Sequence, residues 1–392
     1  MHFAKFSRHA KLNLQMFVFA ILFVCVFGEL RLPPKNDPPV QYSYTAVATA
    51  YFDANGNQAG YKTAAHGVIG PIPDRFPQLG EQVHTDTKKY VIEGVLGHGT
   101  GSAVYRATCL DQESANAAIK FQRYANEERQ FSVETDYEVL KRTAQFGNMF
   151  PQVSYLSGLG SISNGEGVFN LRYLVMELLG SPVWALMRKS GFKLPLKTVA
   201  SVGVQAVEIL EKLHSLGIVH GDVHLENVLF HADREDDDGN YFSDRIVLGD
   251  YGKSTIFIDP VTREHIPDRT VEFNQGRNML FLSPYELAFG APSRREDVFR
   301  LVESLARMID ERRYASWFKP LQNNRQALLN AKLTTPLGEI LPGVNPRLSE
   351  LYSYGRSLGF SQQPNYDYMR DQLLAIIRDC GLEYHNKVIL DV

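Results

Sequence analysis

The pattern of apolar and polar positions divides the chain into stretches of different texture, beginning with an unbroken apolar run from Met16 to Phe27. His2, Lys5, Arg8, His9 and Lys11 precede that run and Gly28 closes it. It is shorter than the roughly 20 residues with which a helix spans a bilayer, and it lacks the recurring polar face of a buried amphipathic helix. A basic start, a short apolar middle and a small closing residue predict a secretory signal peptide over residues 1–28, with no stable membrane anchor after cleavage. Residues 29–85 are punctuated by Leu32-Pro33-Pro34, Asp37-Pro38-Pro39 and Gly70-Pro71-Ile72-Pro73, which suits a linker. Inside them Tyr44–Val47 and Tyr61–Thr63 flank the turn-forming pair Asn55-Gly56, so a small hairpin extension is the alternative.

From Tyr90 the texture changes to short apolar strands: Tyr90–Leu96, a glycine cluster, a second strand, and then Ala117–Lys120. Apolar residues next recur at helical spacing over Phe131–Leu140 and over Val199–Leu213, where Val199, Val202, Ala206, Leu210 and Leu213 share one face. Helical spacing dominates from there to the C-terminus. Strands first and helices afterwards predict an α+β domain.

The 392 residues are 44% hydrophobic, enough to bury a large core. A net charge of -3 provides no general basic field, so nucleic acid is not an expected partner. Of three cysteines, Cys25 would leave with the signal peptide, and Cys109 and Cys380 can form at most one bridge. The acidic run Asp233–Asp238 lies between apolar strands and reads as a solvated hairpin tip; it lacks the alternating spacing and distal glutamate of a calcium loop.

Candidate chemistry sits at five places in order along this domain. The cluster Gly97-His98-Gly99-Thr100-Gly101-Ser102-Ala103-Val104 follows a strand, and its glycines let backbone N–H groups approach phosphate oxygens while Val104 can roof a flat base. The strand Ala117-Ala118-Ile119-Lys120 ends in a lysine placed to neutralise the α and β phosphates. Glu134 on the following helix is its expected partner, with Glu138 one turn later in reserve. His220-Gly221-Asp222-Val223-His224-Leu225-Glu226-Asn227 places Asp222 to accept a hydroxyl proton and Asn227, five residues on, to hold a metal ion. Asp250-Tyr251-Gly252 follows an apolar strand and supplies a second metal carboxylate.

In this order and at these separations, the motifs resemble the protein kinase superfamily. Three further segments resemble, more narrowly, the casein kinase one group and its vaccinia-related kinase branch. They are Leu174-Val175-Met176-Glu177-Leu178-Leu179-Gly180-Ser181, Ser293-Arg294-Arg295-Glu296-Asp297, and Gly355-Arg356-Ser357-Leu358 with Pro364–Arg370. The resemblance covers about Tyr90 to Leu382 and implies a two-lobed kinase domain over 86–384, with a β-rich N-lobe (about 86–179) and a helical C-lobe (about 180–384). It implies ATP and Mg2+ as cofactors and Ser/Thr of protein substrates as acceptors. Met176 would be the gatekeeper, backbone groups of Glu177 and Leu179 would read the adenine edge, and Asp297 would brace the catalytic loop. Together with the signal peptide this predicts a kinase that is secreted or held in the secretory-pathway lumen.

Several positions depart from the group's pattern. Gly221 stands where an arginine is usual, removing the cation that would pair with a phosphorylated activation segment. His224 stands where the group has a lysine that neutralises the moving phosphoryl group, and an imidazole of ordinary pKa near 6.5 is only partly cationic at neutral pH. In Arg277–Ser283, one alignment puts Asn278 at a threonine that normally touches the catalytic aspartate, whereas an alignment shifted by one puts Gly276 at the preceding glycine. His224 and Asn278 leave a secreted pseudokinase, a nucleotide-binding or scaffolding module, as the alternative to an active enzyme.

Overall fold

The computed structural model describes residues 45–52, 58–66, 76–99, 102–111, 115–123, 132–157, 171–231, 234–235, 241–259, 261–271 and 279–390. The expected signal peptide, the Asn55-Gly56 turn, Gly101, Gly276 and Asn278 lie outside these residues. Strands β1 (Thr45–Phe52) and β2 (Gln58–His66) pair with each other as a separate two-stranded sheet.

The N-lobe is an antiparallel sheet in the order β3-β4-β5-β6-β8-β7, made of Gln82–His84, Lys89–Gly99, Ser102–Cys109, Asn116–Arg123, Leu171–Glu177 and Val153–Leu156. In β5 burial alternates, with Ala103, Tyr105, Ala107 and Cys109 inward, the period of a strand with one covered face. In β6 every residue from Ala117 to Phe121 is buried, so this central strand is covered on both faces. Helix α1 (Ser132–Thr143) accounts for the second cover. Its start is tied to β6 by Gln122, whose Oε1 accepts from Ser132 Oγ (3.2 Å) and the Val133 amide (3.1 Å).

The C-lobe is helical around α3 (Leu196–Ser215), which follows the short α2 (Val183–Lys189). The stripe expected from its spacing is buried, and Ala200, Val204 and Val207 are buried as well, so α3 runs through the core. Two short antiparallel pairs follow it. Strand β9 (Ile218–Val219) pairs with β14 (Thr255–Ile256), and β10 (Val228–Phe230) pairs with β13 (Ile246–Leu248). Between them, β11 (Arg234–Glu235) pairs with β12 (Tyr241–Phe242), which makes the acidic run part of a hairpin as expected; its tip is outside the described residues.

Helices α4 (Pro284–Leu287), α5 (Arg294–Ile309), α6 (Glu311–Phe318), α7 (Arg325–Thr334), α8 (Leu337–Ile340), α9 (Pro346–Ser357) and α10 (Tyr366–Asp379) complete the lobe. One buried charge ties the segment before α4 to them. Lys332 on α7 donates to the Leu280 and Leu282 carbonyls (2.9 and 2.7 Å) and to Glu303 Oε1 (2.7 Å). Burial lowers its pKa, Glu303 opposes that shift, and three acceptors satisfy its amino group. Among the described residues Cys109 and Cys380 are free: Cys109 is buried in the N-lobe sheet and Cys380 is exposed after α10.

Candidate active site

Strand register gathers the N-lobe residues singled out from the sequence. Gly97 lies opposite Val104, Val104 opposite Lys120, and Ala118 opposite Met176. Directly opposed residues of antiparallel strands share a face, so these five side-chain positions line one side of the sheet. Gly99 continues the same row opposite Ser102. Strand β4 therefore carries the first two glycines of the cluster within it, where the sequence suggested that the strand ends at Leu96. At the end of β8 the Glu177 amide donates to Gln152 O (2.7 Å), which narrows any base-reading role of that residue to its carbonyl.

Lys120 is buried, and its Nζ bridges two carboxylates: Asp136 Oδ2 at 2.7 Å and Asp250 Oδ1 at 2.8 Å. Burial disfavours the ammonium, but the two carboxylates outweigh it and raise the pKa above that of an ordinary lysine. This corrects the expectation of Glu134. In α1 the buried face is Val133, Asp136 and Leu140, set by helical period, whereas Glu134 pairs with Arg172 of β8 and Glu138 is exposed. An acid in phase with the apolar stripe was the signal for Asp136.

Asp136 also reaches the C-lobe, its Oδ1 accepting from the Tyr251 amide (2.6 Å). Tyr251 is buried, donates its hydroxyl to Leu248 O (2.8 Å) and packs its ring 4.8 Å from that of His220. Asp250 takes a left-handed backbone (φ 59°) that turns its carboxylate toward Lys120. Burial works against that carboxylate, and the Lys120 ammonium outweighs it and holds the pKa below the ordinary value.

Residues His220–Asn227 lie between β9 and β10, and the two short strand pairs bring them against Asp250. Gly249 N donates to Asn227 O (2.9 Å), and Asn227 Nδ2 donates to Asp222 O (2.9 Å). With its nitrogen committed, Asn227 has its amide oxygen left for a cation, and Asp250 is half-exposed beside it in the fold. Two hard oxygen donors fit magnesium, which keeps several waters and takes few protein ligands.

Asp297 on α5 holds the loop from below, as expected from its segment. It is fully buried and accepts from the His220 amide (2.6 Å), the Gly221 amide (2.8 Å) and His214 Nε2 (2.9 Å). Burial alone would raise its pKa; the His214 hydrogen bond, the nearby imidazoles and the Gly221 N–H lower it instead.

Around Asp222 the structure gathers His224, which the sequence had singled out, and two residues that sequence reasoning missed, Lys253 and Arg300. Lys253 Nζ lies 2.6 Å from Asp222 Oδ2, His224 Nε2 stands 3.6 Å from the same oxygen, and Arg300 Nη1 is 3.8 Å from Oδ1. Burial opposes the charge on Asp222, but His224, Lys253 and Arg300 overcome it and hold the pKa far below the usual carboxylate range. A cavity of about 270 Å³ opens here, lined by Trp184, Asp222, His224, Lys253, Phe281 and Arg307 among others. It adjoins the segment that Lys332 anchors.

Residues 90–272 match the family described as protein kinase domain. Among curated proteins the chain is similar to casein kinase I homolog 1 of Saccharomyces cerevisiae, 27% identical over 297 residues, covering 74% of this chain and 51% of that protein. It is 25% identical to casein kinase I homolog 1 of Schizosaccharomyces pombe over 283 residues, 72% of this chain and 59% of that one. A casein kinase I homolog of Encephalitozoon cuniculi is 29% identical over 260 residues, 62% of this chain and 80% of the relative. The chain thus spans little more than half the length of the two yeast relatives.

Proposed function

From a chain that belongs to the protein kinases of the casein kinase I group, we propose an enzyme that transfers the γ-phosphoryl group of ATP to serine or threonine hydroxyls of protein substrates. The observation that carries this reading is Lys120 joined at once to Asp136 and Asp250 across the cleft between the lobes. A buried lysine so placed can neutralise phosphate charge, and its two carboxylates hold it there.

Each residue then has a task that its position supports. The backbone of the Gly97–Gly99 strand and the side chains of Val104, Ala118 and Met176 form the wall for a nucleotide base and its phosphates. Asn227 and Asp250 would hold magnesium, which when bound screens the charge of the β and γ phosphates. Asp222 aligns the substrate hydroxyl and receives its proton. Because little covalent chemistry falls to the protein, positioning of this kind supplies most of the catalysis.

The test is transfer by the purified full-length chain from magnesium-ATP to a generic acidic or basic protein, with phosphoamino-acid analysis of the product. Lys120→Met is expected to lower the rate about 10²-fold or more, the scale of losing one electrostatic contact to the reacting group. Absence of transfer, joined to absence of thermal stabilisation by magnesium-ATP, would leave the scaffolding alternative standing in its place.

The basic and apolar start of the chain further supports export through the secretory pathway. N-terminal sequencing of the mature protein is expected to begin after Gly28; an intact Met1 removes that part of the proposal.

A further inference from the structure

The catalytic loop lacks its usual lysine, yet a lysine touches Asp222. Lys253 arrives from the other side of the site, one residue after Asp250-Tyr251-Gly252, and its half-exposed ammonium lies 2.6 Å from Asp222 Oδ2. Its backbone is fastened to the loop it serves. Ser254 Oγ donates to His220 O (3.2 Å), Ser254 N donates to Tyr251 O (2.9 Å), and β14 begins at the next residue by pairing with β9.

Gly221 belongs to the same arrangement. It has φ 75°, and a Cβ there would come within 2.7 Å of Lys253 O. An arginine at this position would be strained and would collide with the Lys253 backbone. The two departures in the loop are therefore linked to one gain outside it: Gly221 admits the backbone of Lys253, and Lys253 brings an ammonium to Asp222 where position 224 has no lysine.

We propose that Lys253 is the cation that stabilises phosphoryl transfer in this chain, taking the place of the lysine absent at position 224. This rests on the kinase reading above. In the transfer, the substrate hydroxyl oxygen bonds to the γ-phosphorus of a nucleoside triphosphate. The bond from that phosphorus to its bridging oxygen breaks, the electron pair leaves on the nucleoside diphosphate, and the hydroxyl proton passes to Asp222. Negative charge spreads over the phosphoryl oxygens during this step. Lys253 Nζ, already beside the carboxylate that receives the proton, swings on a flexible stem to meet that charge.

The test compares wild type, Lys253→Met, His224→Lys and the double variant in the full chain, with melting temperature and magnesium-ATP stabilisation measured for each. Lys253→Met is expected to lower kcat about 10²-fold while KM for ATP moves less than about threefold, because the contact forms only in the transition state. His224→Lys in that background is expected to restore at least about tenfold, since position 224 reaches the same Asp222 oxygen and a lysine there returns the lost charge. A lysine that only props the loop would not be replaced from position 224.

Lys253→Met at wild-type or raised kcat overturns the proposal, the latter marking Lys253 as a clamp on Asp222. So does a double variant no faster than Lys253→Met alone. A wild-type chain that transfers no phosphate instead removes the kinase reading, and this inference with it.

Discussion

Asp222→Asn is expected to reduce phosphate incorporation by about 10³- to 10⁴-fold, the upper part of the range for a positioned proton acceptor, without unfolding the chain. The replacement keeps the shape of the side chain and removes the charge proposed to accept the hydroxyl proton. Structural cost is small, because the lost partner, Lys253, is half-exposed and can turn to water. The surrounding cations also set the pH behaviour. Asp222 has a pKa far below the ordinary carboxylate value of about 3.9. Its charge is therefore present at every pH above that value and is lost only as pH falls through the lowered one. The ratio of wild-type to variant rates should accordingly be the same at about pH 6 and about pH 8. Radiolabelled phosphate transfer with matched melting curves measures both claims. An Asn variant that retains a tenth of the wild-type rate would show that Asp222 does not receive the proton.

Asp222 and Asn227 could be read from the sequence because the features that place them are local: an apolar strand on either side and a spacing of five residues. Asp297 was legible for a similar reason, as an acid near the start of an amphipathic helix within a recognisable segment. For Asp136 residue type misleads, because a glutamate is the usual partner of such a lysine, whereas its phase on α1 with Val133 and Leu140 marks it as buried. Lys253 is different in kind. It meets Asp222 across 31 residues of chain, and long-range contacts such as the pairing of β9 with β14 bring the two together. Nothing in the composition around Lys253 distinguishes it from a surface lysine. The strand order of the N-lobe likewise depends on pairings between distant segments, so the sequence indicated a strand-rich lobe but not that β8 lies between β6 and β7.

Asp297→Ala should be the most destabilising single change at the site, and it should remove activity through position rather than through charge at the reacting atoms. The carboxylate has no exposure, and its loss leaves the His220 and Gly221 amides and His214 Nε2 without their acceptor in a buried site. Buried donors deprived of a partner cost about 1–3 kcal/mol each, and removing one side of a buried charged network costs about 3–5 kcal/mol. Because these contacts share one carboxylate and do not add, a loss of about 3–5 kcal/mol is expected in denaturant unfolding. Asp297→Asn should be milder, since one oxygen remains to accept from one of the amides while the new NH2 faces the other donors. Acid distinguishes this account from a simple packing defect. The folded-state pKa of Asp297 is lowered, so its stabilisation is complete above the ordinary carboxylate value and fades as pH falls through the lowered one. The stability gap between wild type and Asp297→Ala should therefore be constant near neutral pH and narrow below about pH 4. A gap that stays unchanged into acid would assign the defect to the cavity and not to the three hydrogen bonds that hold the catalytic loop.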